Sequence, residues 1–148
     1  MSPIRPIVAC LAAALAFAFA GNATAANAPA TDATRLSSQY SEWAGGRANS
    51  DSLVAGLRNG APVTLVTNGP NKAVSIAGFT PSGSMSYASV ASALSTAQHN
   101  LAKIGIDKPS AEQIQAALIG GDVTTKSGAT TTVKGSVASR GATPIASR

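Results

Sequence analysis

The chain is short of nearly every side chain that ordinary enzyme chemistry draws on. Its 148 residues include one cysteine and one histidine, and charged residues make up 11% against 45% hydrophobic. The cysteine, Cys10, lies inside an apolar N-terminal run. Everything after it therefore lacks a thiol for a disulfide, a nucleophile or a thiolate metal site. The six carboxylates stand singly, at Asp32, Glu42, Asp51, Asp107, Glu112 and Asp122, and no spacing pairs two of them for acid–base work on one bond. There is no Gly-x-Ser-x-Gly elbow and no glycine-rich phosphate loop, and Lys126-Ser127-Gly128 lacks a Ser-x-x-Lys companion, so it reads as a turn. Lys and Arg total 11 against 6 acids, yet no two basic residues are adjacent and aromatics are only 4%. Nucleic-acid surfaces need clustered cations, often with stacking rings. No nucleic-acid partner is expected; the positive balance reads as solubility or weak attraction to anionic envelope polymers.

The lone histidine, His99, sits in "GSMSYASVASALSTAQHNL", residues 83–101. Tyr87, Val90, Ala91, Leu94, Gln98, Leu101 and Ile104 recur at i, i+3, i+4 and i+7, which predicts a helix over residues 85–104. At 100° per residue His99 points about 150° away from the centre of that stripe, on the side of Lys103. It has no neighbouring carboxylate and no second histidine four residues on. A catalytic or metal site needs converging partners, so His99 reads as a solvent-facing polar residue. The sequence yields no catalytic, cofactor-binding or metal-ligating residue, and no cofactor.

What is present is clearest at the N-terminus. Arg5 is the only charge before Asp32. The apolar run "PIVACLAAALAFAFA" follows it, and then "GNATAANAPA". A short positive start, an apolar stretch and a small-x-small exit form the pattern of a secretory signal peptide. Ala23-Thr24-Ala25 places the cut after residue 25. A membrane-spanning helix needs about 20 apolar residues, and this run is shorter and closes on Gly21-Asn22. Ile7-Val8-Ala9-Cys10 has lipobox composition, but a lipobox ends the apolar run and here the run continues past Cys10. The mature chain keeps about 123 of the 148 residues and a net charge near +4, enough for one domain that buries about two-thirds of its unfolded surface.

Past the leader, residues 26–35 are small and polar without periodicity and read as a flexible mature N-terminus. Leu36, Tyr40 and Trp43 form one helical stripe that Gly45-Gly46 stops. A second short helix follows in "NSDSLVAGLRNG", with Ser50 or Asp51 as its cap and Gly60 at its left-handed end. "VTLVT" and "KAVSIAGF" are β-rich runs around "NGPN", a hairpin with a loop of about four residues. Neither alternates cleanly, so both faces are expected to be partly covered. Pro109 precedes Ser110 and Gln113, a capping box, with Ala111, Ile114, Ala117 and Leu118 on the buried side of the next helix. Gly120-Gly121 ends it. Two Thr-rich strands then flank Ser127-Gly128, and the last residues lose periodicity. The fold class is α+β: a small antiparallel sheet of two hairpins with three to four helices packed on it. The domain reading is 1–25 signal peptide, 26–35 flexible N-terminus, 36–140 single α+β domain and 141–148 disordered tail.

The blocks Met85-Ser86-Tyr87-Ala88-Ser89-Val90, Gly105-Ile106, Pro109-Ser110-Ala111-Glu112-Gln113-Ile114 and Ala116-Ala117-Leu118-Ile119-Gly120-Gly121 carry a resemblance. Over residues 45–140 the chain resembles small uncharacterised exported proteins of proteobacteria, with Ser86 and Ala88 standing where that pattern has glycine. The resemblance implies a fold and an address without a reaction. "AQHNLAKIGI" is similar to part of peptidoglycan-binding three-helix modules, whose Asp-Gly and Gly-Pro-x-Thr signature is missing here. The expectation is a non-enzymatic exported protein, periplasmic or secreted, acting through its surface on an unknown protein or envelope polymer, without stable membrane insertion after cleavage. A peptidoglycan-binding module and an atypical hydrolase are the alternatives.

Overall fold

A computed structural model describes residues 28–69 and 74–143. The expected leader, Cys10 and the cleavage site lie outside these residues. The chain forms four helices and five strands in the order α1 (Ala28–Tyr40), α2 (Arg47–Asn59), β1 (Val63–Asn68), β2 (Val74–Pro81), α3 (Tyr87–Lys103), α4 (Ala111–Ile119), β3 (Gly121–Thr124), β4 (Thr130–Val133) and β5 (Ser139–Thr143). The class is α+β, as the alternation of helical and strand periods predicts.

The helices begin and end where backbone chemistry allows. Ser110 accepts from the Gln113 N–H while the Gln113 side chain accepts from the Ser110 N–H, the reciprocal box that the spacing predicts. Ser86 caps α3 by accepting from the Ser89 N–H. Gly60 closes α2 with φ 67°, a conformation that costs a residue with a Cβ. The start of α2 differs from the sequence expectation. The helix begins at Arg47, after Gly46, and no side chain caps it. Ser50 and Asp51 lie inside the first turns and bond across to α1 instead: Ser50 Oγ donates to the Ser37 carbonyl, and Asp51 accepts from the Ser37 hydroxyl. α1 itself corrects the reading of residues 26–35 as a flexible N-terminus, because residues 28–35 are helical. Packing supplies what their composition does not show: Leu36, Ser37 and Tyr40 are buried, and α1 lies along α2. Tertiary burial of one face, rather than intrinsic propensity, stabilises most protein helices.

Trp43, in the turn after α1, is buried against Tyr40 with ring centroids 6.2 Å apart and planes at 72°, an edge-to-face arrangement. On α3 the buried set is Val90, Ala93, Leu94, Ala97 and Leu101. The stripe is therefore rotated from the expected one: Gln98 is exposed, and two alanines take the core side. Their small side chains bring α3 close to its neighbours. On α4, Ala111, Ile114, Ala117 and Leu118 are buried as expected, together with Ala116.

The two hairpins lie in separate sheets. β1, β2 and β5 form one antiparallel sheet in that order; β3 and β4 form the other. β5 corrects the reading of 141–148 as a disordered tail, since residues 139–143 pair with β2 from Pro81 to Gly78; residues 144–148 lie outside the described range. The β1–β2 register matches Asn68 with Val74 and Val66 with Ile76. β1 alternates strictly, with Val63, Leu65 and Thr67 buried and Thr64, Val66 and Asn68 exposed, so the expected coverage of both faces is not what the structure has. Thr67 is the exception in chemistry: its buried hydroxyl accepts from the Ala111 N–H at 2.8 Å, anchoring the start of α4 to the sheet.

One core joins these layers, built on Leu53, Leu57, Leu65, Leu94, Leu101, Ile114 and Leu118. Asn49 fastens α2 to the sheet's outer strand. Its Nδ2 donates to the carbonyls of Ala44 (2.7 Å) and Val66 (2.8 Å), and its Oδ1 accepts from the Val66 N–H (2.9 Å). Ser52 Oγ accepts from the Thr64 N–H at 3.3 Å. Together they engage the Val66 N–H and carbonyl and the Thr64 N–H of an edge strand that would otherwise invite pairing with another chain. At the far side of the domain the segment after β4 crosses the end of α4: Val137 N donates to the Leu118 carbonyl at 2.7 Å, and a Cβ at Gly135 would lie 2.3 Å from the Ile119 carbonyl carbon. Only glycine fits there.

Asn49→Ala leaves the Val66 N–H and carbonyl without their partner. It should lower stability by about 2–4 kcal/mol, read as a drop in urea midpoint at unchanged slope. Gly135→Ala should lower it further than Gly128→Ala, which bears only the strain of a left-handed φ of 83° and has nothing within 4 Å of its added Cβ; differential scanning calorimetry of the two variants makes the comparison.

Candidate functional site

His99 lies on the exposed side of α3 with Lys103, as its position on the helical wheel predicts. Among the described residues no three His, Cys, Asp or Glu side chains gather in a way that could hold a metal, and no helix is long and apolar enough to cross a membrane. Lys126, Ser127 and Gly128 form the turn between β3 and β4.

Among the described residues, the serine and carboxylate that a hydrogen bond joins are Ser37 and Asp51, at the α1–α2 junction. The Ser37 hydroxyl donates to Asp51, Arg47 Nε donates to the same oxygen at 3.2 Å, and Arg47 Nη1 donates to Ser38 Oγ at 3.0 Å. The Ser37 hydrogen bond, joined by Arg47 and opposed by a little burial, holds the Asp51 carboxyl below its ordinary range. A base that activates serine near neutral pH needs the opposite shift. Ser37 is moreover 1% exposed. This cluster fastens two helices together; it has neither the basicity nor the access for hydrolysis.

The surface offers a different kind of site. Val66, Val74 and Ile76 are 45%, 48% and 38% exposed, the exposed large hydrophobics of the described chain. The ladder explains why they meet. Val66 lies directly opposite Ile76, and Val74 is two residues along β2 on the same face. All three stand on the side of the sheet away from the core. Beside them, on the core side of the hairpin's end, is an open groove of about 620 Å³. Thr67 and Ser75 of the sheet, Ile106 and Pro109 of the α3–α4 loop, and the charged Lys108, Lys126 and Glu112 are among its lining residues. The Ser75 hydroxyl is buried without a hydrogen-bond partner. The groove thus combines a mainly apolar lining with two cations and one anion. A second, shallower cavity of about 460 Å³ lies around Gly45, Gly46 and Lys108.

The sequence reading did not single out these residues. The trace was there: Val66 and Leu65 are both apolar, as are Ile76 and Ala77, so one residue of each pair had to face outward in a two-stranded register. Nothing in the sequence fixed which one.

Asp51 gives a pH prediction. Its folded pKa lies below its unfolded one, so its contribution is present above about pH 4, the unfolded value, and is lost as pH falls through the folded value. The side chain is 57% exposed, which screens the contribution to below about 1 kcal/mol. Asp51→Asn should therefore lower the urea midpoint at pH 7, and the gap from the parent should close near pH 2; a gap that persists there would assign the effect to packing.

Compared with known proteins, the chain matches no family model, no curated protein and no solved structure.

Proposed function

We propose that this protein is exported and works at the cell envelope, in the periplasm or outside the cell, by binding through its surface rather than by catalysis. The single observation that carries the reading is the apolar row Val66, Val74 and Ile76, placed by the ladder on the solvent side of a sheet whose other face already fills the core. Scattered exposed hydrophobics are ordinary, but contiguous ones beside a groove mark interaction surfaces. Three further observations support it. The N-terminal pattern of one cation, an apolar run and Ala23-Thr24-Ala25 is that of an export leader. The resemblance over residues 45–140 to small exported proteobacterial proteins gives the same address. The serine that does touch a carboxylate, Ser37, is buried against an acid of lowered pKa. A protein partner fits the aliphatic row better than a sugar polymer, whose hydroxyls would lose water without gaining hydrogen bonds there.

Two measurements test this. N-terminal sequencing of the protein recovered from the envelope or medium should begin at Ala26; retention in the cytoplasm with an intact leader overturns the address. The double variant Val66→Lys, Ile76→Lys should fold normally, since both side chains are exposed, and lose its in-cell cross-linking to envelope material, while His99→Ala keeps it. Unchanged cross-linking in the lysine variant removes the apolar row as the binding surface.

A further inference from the structure

The dipeptide Asn-Gly occurs twice, at Asn59-Gly60 and Asn68-Gly69. It is a reactive setting for a side-chain amide, because glycine has no Cβ to keep its backbone nitrogen away from the asparagine Cγ. The fold treats the two copies differently. Asn59 is the last residue of α2, and the Gly60 N–H donates to the Gly56 carbonyl. The backbone of Gly83 also packs on Gly60, with its carbonyl carbon 2.9 Å from where a Cβ would stand. For the Gly60 nitrogen to reach the Asn59 side chain, that bond and the last turn of the helix must open. Asn68 ends β1 and is exposed. Val66 gives its N–H and carbonyl to Asn49, away from β2, and opposite residues in an antiparallel ladder alternate between bonded and non-bonded pairs. Asn68 and Val74, two positions along from Val66 and Ile76, are therefore a non-bonded pair. β2 does not hold the N–H and carbonyl of Asn68.

The position matters because of its neighbours. Asn68 stands on the outer face of the sheet, with Val66 two residues back along β1 and Val74 directly opposite. Side chains approach most closely in a non-bonded pair, where the Cα atoms are about 4.5 Å apart. A charge at Asn68 therefore lands in the row of Val66, Val74 and Ile76. A partner that covers this row must strip water from whatever stands beside it, and an unpaired carboxylate resists that far more than an amide does.

We infer that Asn68 is a site of spontaneous deamidation, and that the reaction switches the aliphatic row beside it from a binding face to a charged one. The Gly69 backbone nitrogen attacks Asn68 Cγ. A bond forms between them, the bond from Cγ to Nδ2 breaks, and the Gly69 amide proton leaves with Nδ2 as ammonia. The product is a five-membered succinimide. Water then opens the ring at either carbonyl. One opening gives aspartate at position 68; the other gives its isoaspartyl isomer, whose main chain runs through Cγ. Nothing is oxidised or reduced, and water is the one co-reactant. Both products carry a negative charge where the amide has none, and the isomer also lengthens the chain at the end of β1 by one methylene. The switching of the face rests on the surface-binding reading above; the chemistry at Asn68 does not.

The test incubates the purified protein in mildly alkaline buffer made with heavy-oxygen water, and peptide mass spectrometry follows label uptake at each asparagine. In the folded protein Asn68 should convert at least about tenfold faster than Asn59, because Gly60 must first leave its helical bond. In concentrated urea the two should convert at similar rates. Equal rates in the folded protein, or no conversion at Asn68, overturn the inference. Asn68→Gln, whose longer side chain closes its ring far more slowly, should take up no label at that position. A second arm reads the consequence: Asn68→Asp should lose the in-cell envelope cross-linking that Asn68→Gln keeps, and equal cross-linking of the two overturns the switch. Should the Val66/Ile76 lysine variant cross-link like the parent, the surface-binding reading fails and the switch falls with it, whereas the label at Asn68 is read without any partner and decides the deamidation on its own.

Discussion

The side chain of Asn49 occupies the place of a neighbouring strand. Its amide meets the Val66 N–H and carbonyl as a peptide group would, and its third bond, to the Ala44 carbonyl, ties the same side chain to the turn between α1 and α2. Several features depend on that arrangement. It closes the outer edge of β1 and fixes the phase of the ladder, because Val66 faces Asn49 and so cannot also face β2. It thereby sends Val63, Leu65 and Thr67 into the core and Val66 to solvent. Thr67, placed inward by the same phase, then receives the first N–H of α4. A buried amide with all its bonds made is stable where a half-satisfied one would not be.

Much of this domain can be read from its sequence where the information is local. The Ser110–Gln113 box, the left-handed Gly60 and the outward position of His99 depend on neighbours a few residues away, and spacing alone conveys them. The misread elements depend on distant partners. Residues 28–35 have no periodic stripe of their own, yet they are helical because α2 offers a surface to lie on. Ser50 and Asp51 look like caps because their chemistry suits capping; their hydroxyl and carboxylate are instead engaged by Ser37, 13 and 14 residues earlier. β5 reads as a tail because a short edge strand carries little apolar pattern, and its partner is a hairpin some 60 residues upstream.

The candidate site was less legible than the fold for a related reason. Catalytic sites announce themselves by residue type, and this chain has few such residues. The candidate surface is made of ordinary aliphatic side chains, so its signature is directional rather than compositional. Val66, Val74 and Ile76 are unremarkable residues for strands; what distinguishes them is the side of the sheet on which a neighbouring asparagine leaves them.

The position of β5 also bears on the order of assembly. Ribosomes deliver the chain N-terminus first, so β1 and β2 are complete long before the strand that pairs with Gly78 through Pro81 exists. Throughout that interval the entire outward side of β2 stands unpaired, and the slow, long-range closure comes last. Until then the backbone groups of Gly78 through Pro81 that β5 later covers stand open, the kind of strand edge that invites pairing with another chain.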